Sequence, residues 1–356
     1  MAKKHTAKKN MRLSELGEFS LIKHFRSKCA DTSTEILKGI GDDAAAIEIS
    51  ADKTLVTSDM MLEGIHFDLS CSTFYQLGCK ILAVNISDIF AMGGKPGYFL
   101  LSLGIPGTYT FKNIKELYSG LMKIAKKYGV KVIGGDTCAS KHRLVLSGTL
   151  IGYAGRIITR SGARNGDGVF VTGTLGDSAM GLMLLKKLGR QIHFEGRGTR
   201  DKGRKIRLKD RSLPITPNLL PLIKRHLMPE PIPLEKTSGI TSMIDVSDGL
   251  LMDLSHICEE SKVGAVIYKD RIPVSRELVK AAKVLGVDPV SIALKGGEDY
   301  VLLFTSPSEI ITDSVRIGEI IKKGRFLVDS GGRKTTFKAE GYEHFKETQM
   351  TTDKMQ

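Results

Sequence analysis

The feature that most constrains this chain is a repeated juncture, in which an apolar run gives way to a turn with an acid beside glycine or serine. It occurs at Gly41-Asp42-Asp43, Ser58-Asp59, Gly135-Asp136, Asp245-Val246-Ser247-Asp248 and Glu298-Asp299. Ser87-Asp88 places a further such acid inside a helical segment. Between the junctures, strand-like and helix-like runs alternate. Leu77, Ile81, Val84 and Ile89 recur at helical spacing across 74–92, and the segment closes on Gly93-Gly94, a natural helix stop. Strands are expected at 54–58, 98–104, 131–134, 144–152, 168–171, 265–268 and 300–305. Further helices are expected over 114–128 and 277–285, and starting at 179 and 248. Such alternation argues for an α/β (α+β layered) architecture.

A chain of 356 residues is long for one small domain, and two of ordinary size fit best. The polar, glycine-containing stretch 155–164 suggests a boundary between domains at 11–155 and 156–346. A basic extension at 1–10 and a tail at 347–356 flank them. No apolar run reaches the ~18 residues of a membrane span, and the basic start has no apolar segment after it, so no secretory signal is expected. The five cysteines are odd in number, scattered and without a CxxC pair, which fits reduced thiols in the cytoplasm.

The net charge of +14 invites a nucleic-acid reading, but its distribution weakens that reading. Most of the excess sits on Lys3, Lys4, Lys8 and Lys9 and in the stretch from Lys186 to Arg211, where eleven basic residues face three acids. Either could attract a polyanion. Neither is interleaved with aromatics, and the stretch at 189–217 lacks periodicity, as a solvated insertion would.

The chemistry falls on the acids. Mg²⁺ takes carboxylate and phosphate oxygens, usually with one or two carboxylates per ion. Isolated aspartates delivered by different strand ends suit several such ions around a polyphosphate. Each one alone is more usually a helix cap or turn residue; six together make a purely structural account less attractive. Asp59 and Asp88 are the sharpest cases, one ending an apolar strand and one interrupting an apolar helix face beside Asn85, where a carboxylate needs a partner or a cation. Asp245 and Asp248 flank Ser247 at an expected helix start, which can offer both metal ligands and amide N–H groups. His66 alone is a weak signal. The loop Thr172-Gly173-Thr174-Leu175-Gly176-Asp177-Ser178 reads either as a phosphate cradle or as a tight turn. There is no P-loop, kinase catalytic loop, HExxH or GxSxG. A phosphoryl-transfer enzyme with this sequence would therefore rely on metals rather than a P-loop lysine.

Taken in order, GEFSLI (17–22), GIGDDAA (39–45), SDMMLEGIHF (58–67), LAVNISDIFAMGGKP (82–96), IGGDT (133–137), the run from TRSGARNGDG at 159 to 182, IKRHL (223–227), IDVSDGLLMDL (244–254), GGEDYVLLFT (296–305) and GYEHF (341–345) resemble the thiamine-monophosphate kinase family of the aminoimidazole ribonucleotide synthetase superfamily. The resemblance implies a two-domain synthetase-like fold whose N-terminal domains pair into a dimer barrel. It implies ATP and thiamine monophosphate as substrates, thiamine diphosphate as product, and several Mg²⁺ ions. Asp43, Thr57, Ser58, Asp59, Asp88, Asp136, Asp245 and Asp248 are then expected at metals, with Asp42 as a neighbouring ligand. Tyr118, Gly135, Asp136, Arg160 and Ser247 are expected at the nucleotide, and His66, Glu298 and Tyr342 at the other substrate. Asp59, Asp88 and Arg160 are the expected catalytic residues. Sister enzymes on the same scaffold are the nearest rivals, and a silent nucleotide- or polyanion-binding protein is a rival of another class. A hydrogenase-maturation relative needs a C-terminal cysteine, where this chain has Lys354-Met355-Gln356. Three departures stand out: residues 1–10, the length of the basic stretch, and Ile232 after Pro229-Glu230-Pro231 where the family carries arginine.

Overall fold

The computed structural model describes residues 24–25, 27–29, 33–34, 36–38, 46–47, 53–189, 192, 219–307 and 314–342. Asp42, Asp43, the basic extension and nearly all of the basic stretch lie outside the described residues. The chain divides into two compact units. The first comprises 1–157 with 184–215 and 227–231, and the second 158–183, 216–226 and 232–356.

In the first unit, β1 (Ile36–Lys38) and β2 (Ala46–Ile47) form a two-stranded ribbon. The main sheet is built from β3 (Thr54–Leu62), then, after helix α1 (Phe74–Ala91), β4 (Lys95–Pro106). Helix α2 (Phe111–Tyr128), β5 (Lys131–Gly134), β6 (Thr137–Ser140) and β7 (Val145–Tyr153) complete it. The order across the sheet is β3-β7-β4-β5, with β6 continuing beside β4. Thr73 and Gln76 form a reciprocal capping box that starts α1. That helix is buried on every side, with only Tyr75 and Asp88 less than fully buried, so an acid there sits where the helix meets an opening. Helix α2 presses against it so closely that a Cβ on Gly78 would fall 1.8 Å from the Leu117 carbonyl oxygen, and one on Gly120 would fall 1.9 Å from that of Tyr75. The two backbones touch because neither residue has a side chain. Leu77, Ile81, Leu82, Phe99, Leu101, Leu103, Ile114, Leu117 and Leu121 fill the core beneath, each contributing about 1.5–3 kcal/mol by burial.

The second unit runs through β8 (Gly168–Val171), α3 (Asp177–Leu188) as far as residue 183, α4 (Leu220–Leu227) as far as residue 226, β9 (Ser242–Asp245), α5 (Leu250–Ser261) and β10 (Gly264–Tyr268). It continues through α6 (Arg276–Leu285), α7 (Pro289–Lys295), β11 (Leu302–Ser306), β12 (Val315–Ile321), β13 (Arg325–Val328) and β14 (Lys334–Thr336). Its seven-stranded sheet has the order β14-β13-β10-β12-β8-β11-β9. Leu250, Leu251, Leu254 and Ile257 of α5 pack on Val169, Ile244, Ile267 and Leu303 of the strands. Among the described residues no helix is long and apolar enough to cross a membrane. Both units are mixed α/β, as the alternation of patterns implies.

Candidate active site

The first unit gathers three of the expected residues at one place. Successive strand residues face opposite sides, so Thr57 and Asp59 share one face of β3 and Ser58 takes the other. The hydroxyl of Thr57 lies 2.5 Å from Asp88 Oδ2 on α1, and Oδ2 of Asp59 is shielded from solvent. The Ser58 hydroxyl instead donates to the Gly148 carbonyl on its own sheet. Asp59 stands within β3 rather than at its end, because the strand runs on to Leu62.

Asp136 shares the cross-strand row of Asp59 but not its position. Asp59 pairs with Gly148, Gly148 pairs with Leu101, and the Asp136 N–H donates to the Leu101 carbonyl. Three strand spacings amount to about 14 Å, so no single ion spans Asp59 and Asp136. Gly135 makes the turn between β5 and β6 with φ of +145°, and a Cβ there would overlap the Leu101 carbonyl at 1.9 Å. Asp136 is exposed and caps its own neighbour, accepting from the Thr137 N–H at 2.7 Å. Tyr118 is a core residue in this structure. Its ring is 4% exposed and stacks on Phe25 with centroids 4.0 Å apart, and burial pushes its phenol upward in pKa.

His66 lies in the turn after β3, where its Nδ1 accepts the Leu62 N–H at 3.0 Å. That bond leaves Nε2 as the ring's donor. Glu63 fastens the same turn, its carboxylate accepting from the Leu144 N–H and the Tyr109 hydroxyl.

The second unit draws together Asp245, Ser247, Asp248, Glu298 and Tyr342. Asp245 is buried at the end of β9, and the loop after it is clasped by backbone bonds. The Glu298 N–H donates to the Ser247 carbonyl at 2.7 Å, the Tyr300 N–H to Val246 at 2.9 Å, and the Tyr342 N–H to Asp248 at 3.0 Å. Arg160 lies at the other end of α5 from Asp248, next to Thr159, whose carbonyl accepts the Met243 N–H two residues before Asp245. The Arg160 carbonyl accepts from Ser261 at the last turn of α5, whereas Asp248 precedes the first, and twelve helical residues span about 18 Å.

Sequence reasoning missed Asp253. This buried aspartate of α5 accepts the N–H groups of Asp248 and Gly249 through one oxygen, at 3.2 and 3.0 Å. Burial, then the Asp245 and Asp248 carboxylates, hold its pKa well above the usual carboxylate range. The signal was present: an acid interrupting an apolar helix face, as at Asp88. Ligand atoms of Asp248, Asp253 and His256 lie within 4.8 Å of one another. The donors in both units suit a hard cation, being carboxylate and hydroxyl oxygens whose crowding a positive charge relieves; the imidazole of His256 is the poorer donor for Mg²⁺.

The glycine-rich loop 172–178 proves to be closed internally. Asp299, 1% exposed, accepts the Gly176 N–H at 2.6 Å and the Ser178 N–H at 3.0 Å. Its own carboxylate thus occupies the N-terminus of α3. Burial raises its pKa to about 7 despite those two bonds.

Residues 41–154 match the family model for the AIR synthase related protein, N-terminal domain, and residues 164–326 match that for the AIR synthase related protein, C-terminal domain. The chain is 35% identical over 342 residues to the thiamine-monophosphate kinase of Aquifex aeolicus (strain VF5), covering 94% of this chain and 100% of the relative. It is 33% identical over 351 residues to that of Bacillus subtilis (strain 168), covering 93% and 100%. Its structure is similar to that of AaThiL complexed with AMPPCP and TMP, with a TM-score of 0.70, 34% identity, and 94% and 99% of the two chains covered. The hydrogenase maturation protein HypE in complex with ATP, 17% identical with a TM-score of 0.65 over 92% and 96%, shares the fold.

Proposed function

The chain belongs to the thiamine-monophosphate kinase family, within the AIR synthase related proteins, and from that premise we propose that it converts thiamine monophosphate and ATP to thiamine diphosphate and ADP by direct in-line transfer. The AMPPCP and TMP held by the related AaThiL support these two substrates. The observation that carries the reading in this chain is the pair of oxygen-donor clusters, Thr57 with Asp59 and Asp88, and Asp245 with Asp248 and Asp253.

The attacking group is a phosphate oxygen of thiamine monophosphate. It is already an anion, so no general base is needed: a new O–Pγ bond forms as the bond from Pγ to the β-phosphate oxygen breaks and ADP leaves. The demand is for positioning two phosphorylated molecules whose charges repel. Mg²⁺ held by Asp59 and Asp88 in the first unit and by Asp245 and Asp248 in the second, with Asp42, Asp43, Thr57 and Asp136 as further donors, would supply the charge neutralisation. Thr57 orients Asp88, and Asp253 holds the Asp248 loop. Ser247, Gly135 and Arg160 are assigned to the nucleotide, and Arg160 would help offset charge at the transferred group. His66, Glu298 and Tyr342 are assigned to thiamine monophosphate, with the Glu298 carboxylate facing the fixed positive charge of the thiazolium.

We also assign the protein as a homodimer in the cytoplasm. The face of β3 opposite Thr57 and Asp59 exposes Val56 by 67% and Met60 by 59%, and pairing of sheets through that face would cover them. All five cysteines are free thiols, in keeping with a reducing compartment.

Incubating the purified protein with ATP, Mg²⁺ and thiamine monophosphate, with chromatography of the products, tests the reaction. Thiamine diphosphate formed only with Mg²⁺, and not from thiamine or other monophosphates, is expected. Intact Mg·ATP binding without product would overturn the assignment in favour of a sister activity.

A further inference from the structure

We propose that His226 is a positioning residue for substrate, acting by orienting the Glu298 carboxylate; this rests on the assignment of Glu298 to thiamine monophosphate. His226 sits in the last turn of α4 and is 7% exposed. Its Nδ1 lies 3.1 Å from Glu298 Oε2 and 3.1 Å from the Ser178 hydroxyl. An ionised carboxylate brings no proton to that contact, so the imidazole must carry its hydrogen on Nδ1 and donate it to Glu298, with the serine oxygen sharing the same hydrogen or turning its own outward.

The backbone beneath Glu298 has little freedom. Its φ is +62° and that of Tyr300 is +51°, two of three positive-φ residues other than glycine among the described residues. A β-substituted residue stays in that region only when its surroundings hold it there. Four bonds do so: the Glu298 N–H to Ser247, the Tyr300 N–H to Val246, and the two that the Asp299 carboxylate accepts from the amides of Gly176 and Ser178. The same Ser178 therefore anchors Asp299 through its amide and meets His226 through its hydroxyl. The Arg225 guanidinium donates to the Asp299 carbonyl at 3.1 Å, so α4 grips both consecutive acids. With the main chain fixed, the remaining variable is where the 31%-exposed Glu298 side chain points. His226 sets that direction from the buried side.

The competing account is a core histidine that only fills volume. Substitutions separate the two. Asn places an amide N–H where Nδ1 stood, Gln places one where Nε2 stood, and Leu fills the space without a donor. Steady-state kinetics at saturating Mg²⁺ are expected to show KM for thiamine monophosphate raised about tenfold in His226→Leu and His226→Gln, restored to within about threefold of wild type in His226→Asn, with KM for ATP unchanged. Glu298→Gln should raise the same KM, and His226→Leu with Glu298→Gln should be no worse than Glu298→Gln alone. Should His226→Leu fail to fold, equal KM values in the Asn and Gln variants overturn the proposal and a worse Gln variant upholds it. An elevated KM in Glu298→Gln alongside wild-type KM in His226→Leu defeats the role of His226 and leaves the assignment of Glu298 standing. A wild-type KM in Glu298→Gln defeats both.

Discussion

Thr57 on β3 and Asp88 on α1 are joined by a hydroxyl–carboxylate hydrogen bond of 2.5 Å, a direct polar link between the sheet and the buried helix at the first acid cluster. A hydroxyl that donates to one carboxylate oxygen fixes the orientation of the whole carboxylate. Thr57→Val should therefore leave the fold intact and raise the Mg²⁺ concentration for half-maximal rate by about 10–100-fold, as loss of an orienting partner does elsewhere. Asp59→Asn and Asp88→Asn, which remove proposed ligands, should lower kcat/KM by at least about 100-fold even at saturating Mg²⁺. Rates like wild type in both would remove the first unit from the metal site.

Asp253 separates stability from function in the second unit. Its oxygen accepts two amide N–H groups, and the nearby Asp245 and Asp248 oppose its ionisation. Asn at 253 keeps an oxygen for both amides and removes the repulsion. Asp253→Asn should raise Tm without Mg²⁺ and shrink the upward shift of Tm that Mg²⁺ produces. Asp253→Leu, which orphans two amides, should lower Tm under every condition, at about 1–3 kcal/mol for each buried group left unpaired. A Mg²⁺ shift of wild-type size in Asp253→Asn would show that the loop does not need that charge.

Asp299 imposes a pH dependence whose sign follows from its burial. Its folded pKa of about 7 lies above its ordinary value, so between about 4 and 7 the folded state binds more protons than the unfolded chain. Its contribution is therefore favourable at the acid end of that window and is lost as pH rises through about 7. Asp299→Asn offers one oxygen to two amides and turns its NH₂ on the other, so it should be less stable at all pH values. Its Tm should nonetheless decline less between pH 5 and 8 than that of wild type. An identical decline in the two proteins would assign the dependence to other groups.

How far the sequence could be read depended on whether neighbours or distant segments set the conformation. The runs at 131–134 and 168–171 coincide with β5 and β8 at both ends, because apolar residues bounded by glycine and polar turns define a strand locally. The expected helix from 248 begins instead at Leu250, and the expected strand from 300 begins at Leu302. In both places the displaced residues belong to the clasped loops, where Glu298 and Tyr300 adopt left-handed φ that no strand pattern signals. The loop at 172–178 was ambiguous for the same reason: the carboxylate that fills it comes from Asp299, more than 120 residues away. Ser58 and Tyr118 show a different limit. Motif matching places a residue in a segment, but strand alternation turned Ser58 to the other face and the Phe25 stack enclosed Tyr118.

The exposed face of β3 makes the proposed dimer testable without touching the chemistry. Val56 and Met60 project from the side of the strand opposite Thr57 and Asp59, so a substitution there changes the outer face while the acids stay in place. In an isologous interface every substitution acts twice. A charge carried into apolar surroundings opposes burial, and at about 1.5 kcal/mol per copy Met60→Glu should weaken the dimer by about 100-fold. Sedimentation at micromolar concentration should then show monomer for Met60→Glu and dimer for wild type, with Tm measured in parallel to confirm that the monomer is folded. A dimer that persists unchanged would place the interface elsewhere. A wild-type protein that sediments as monomer would remove the dimer itself.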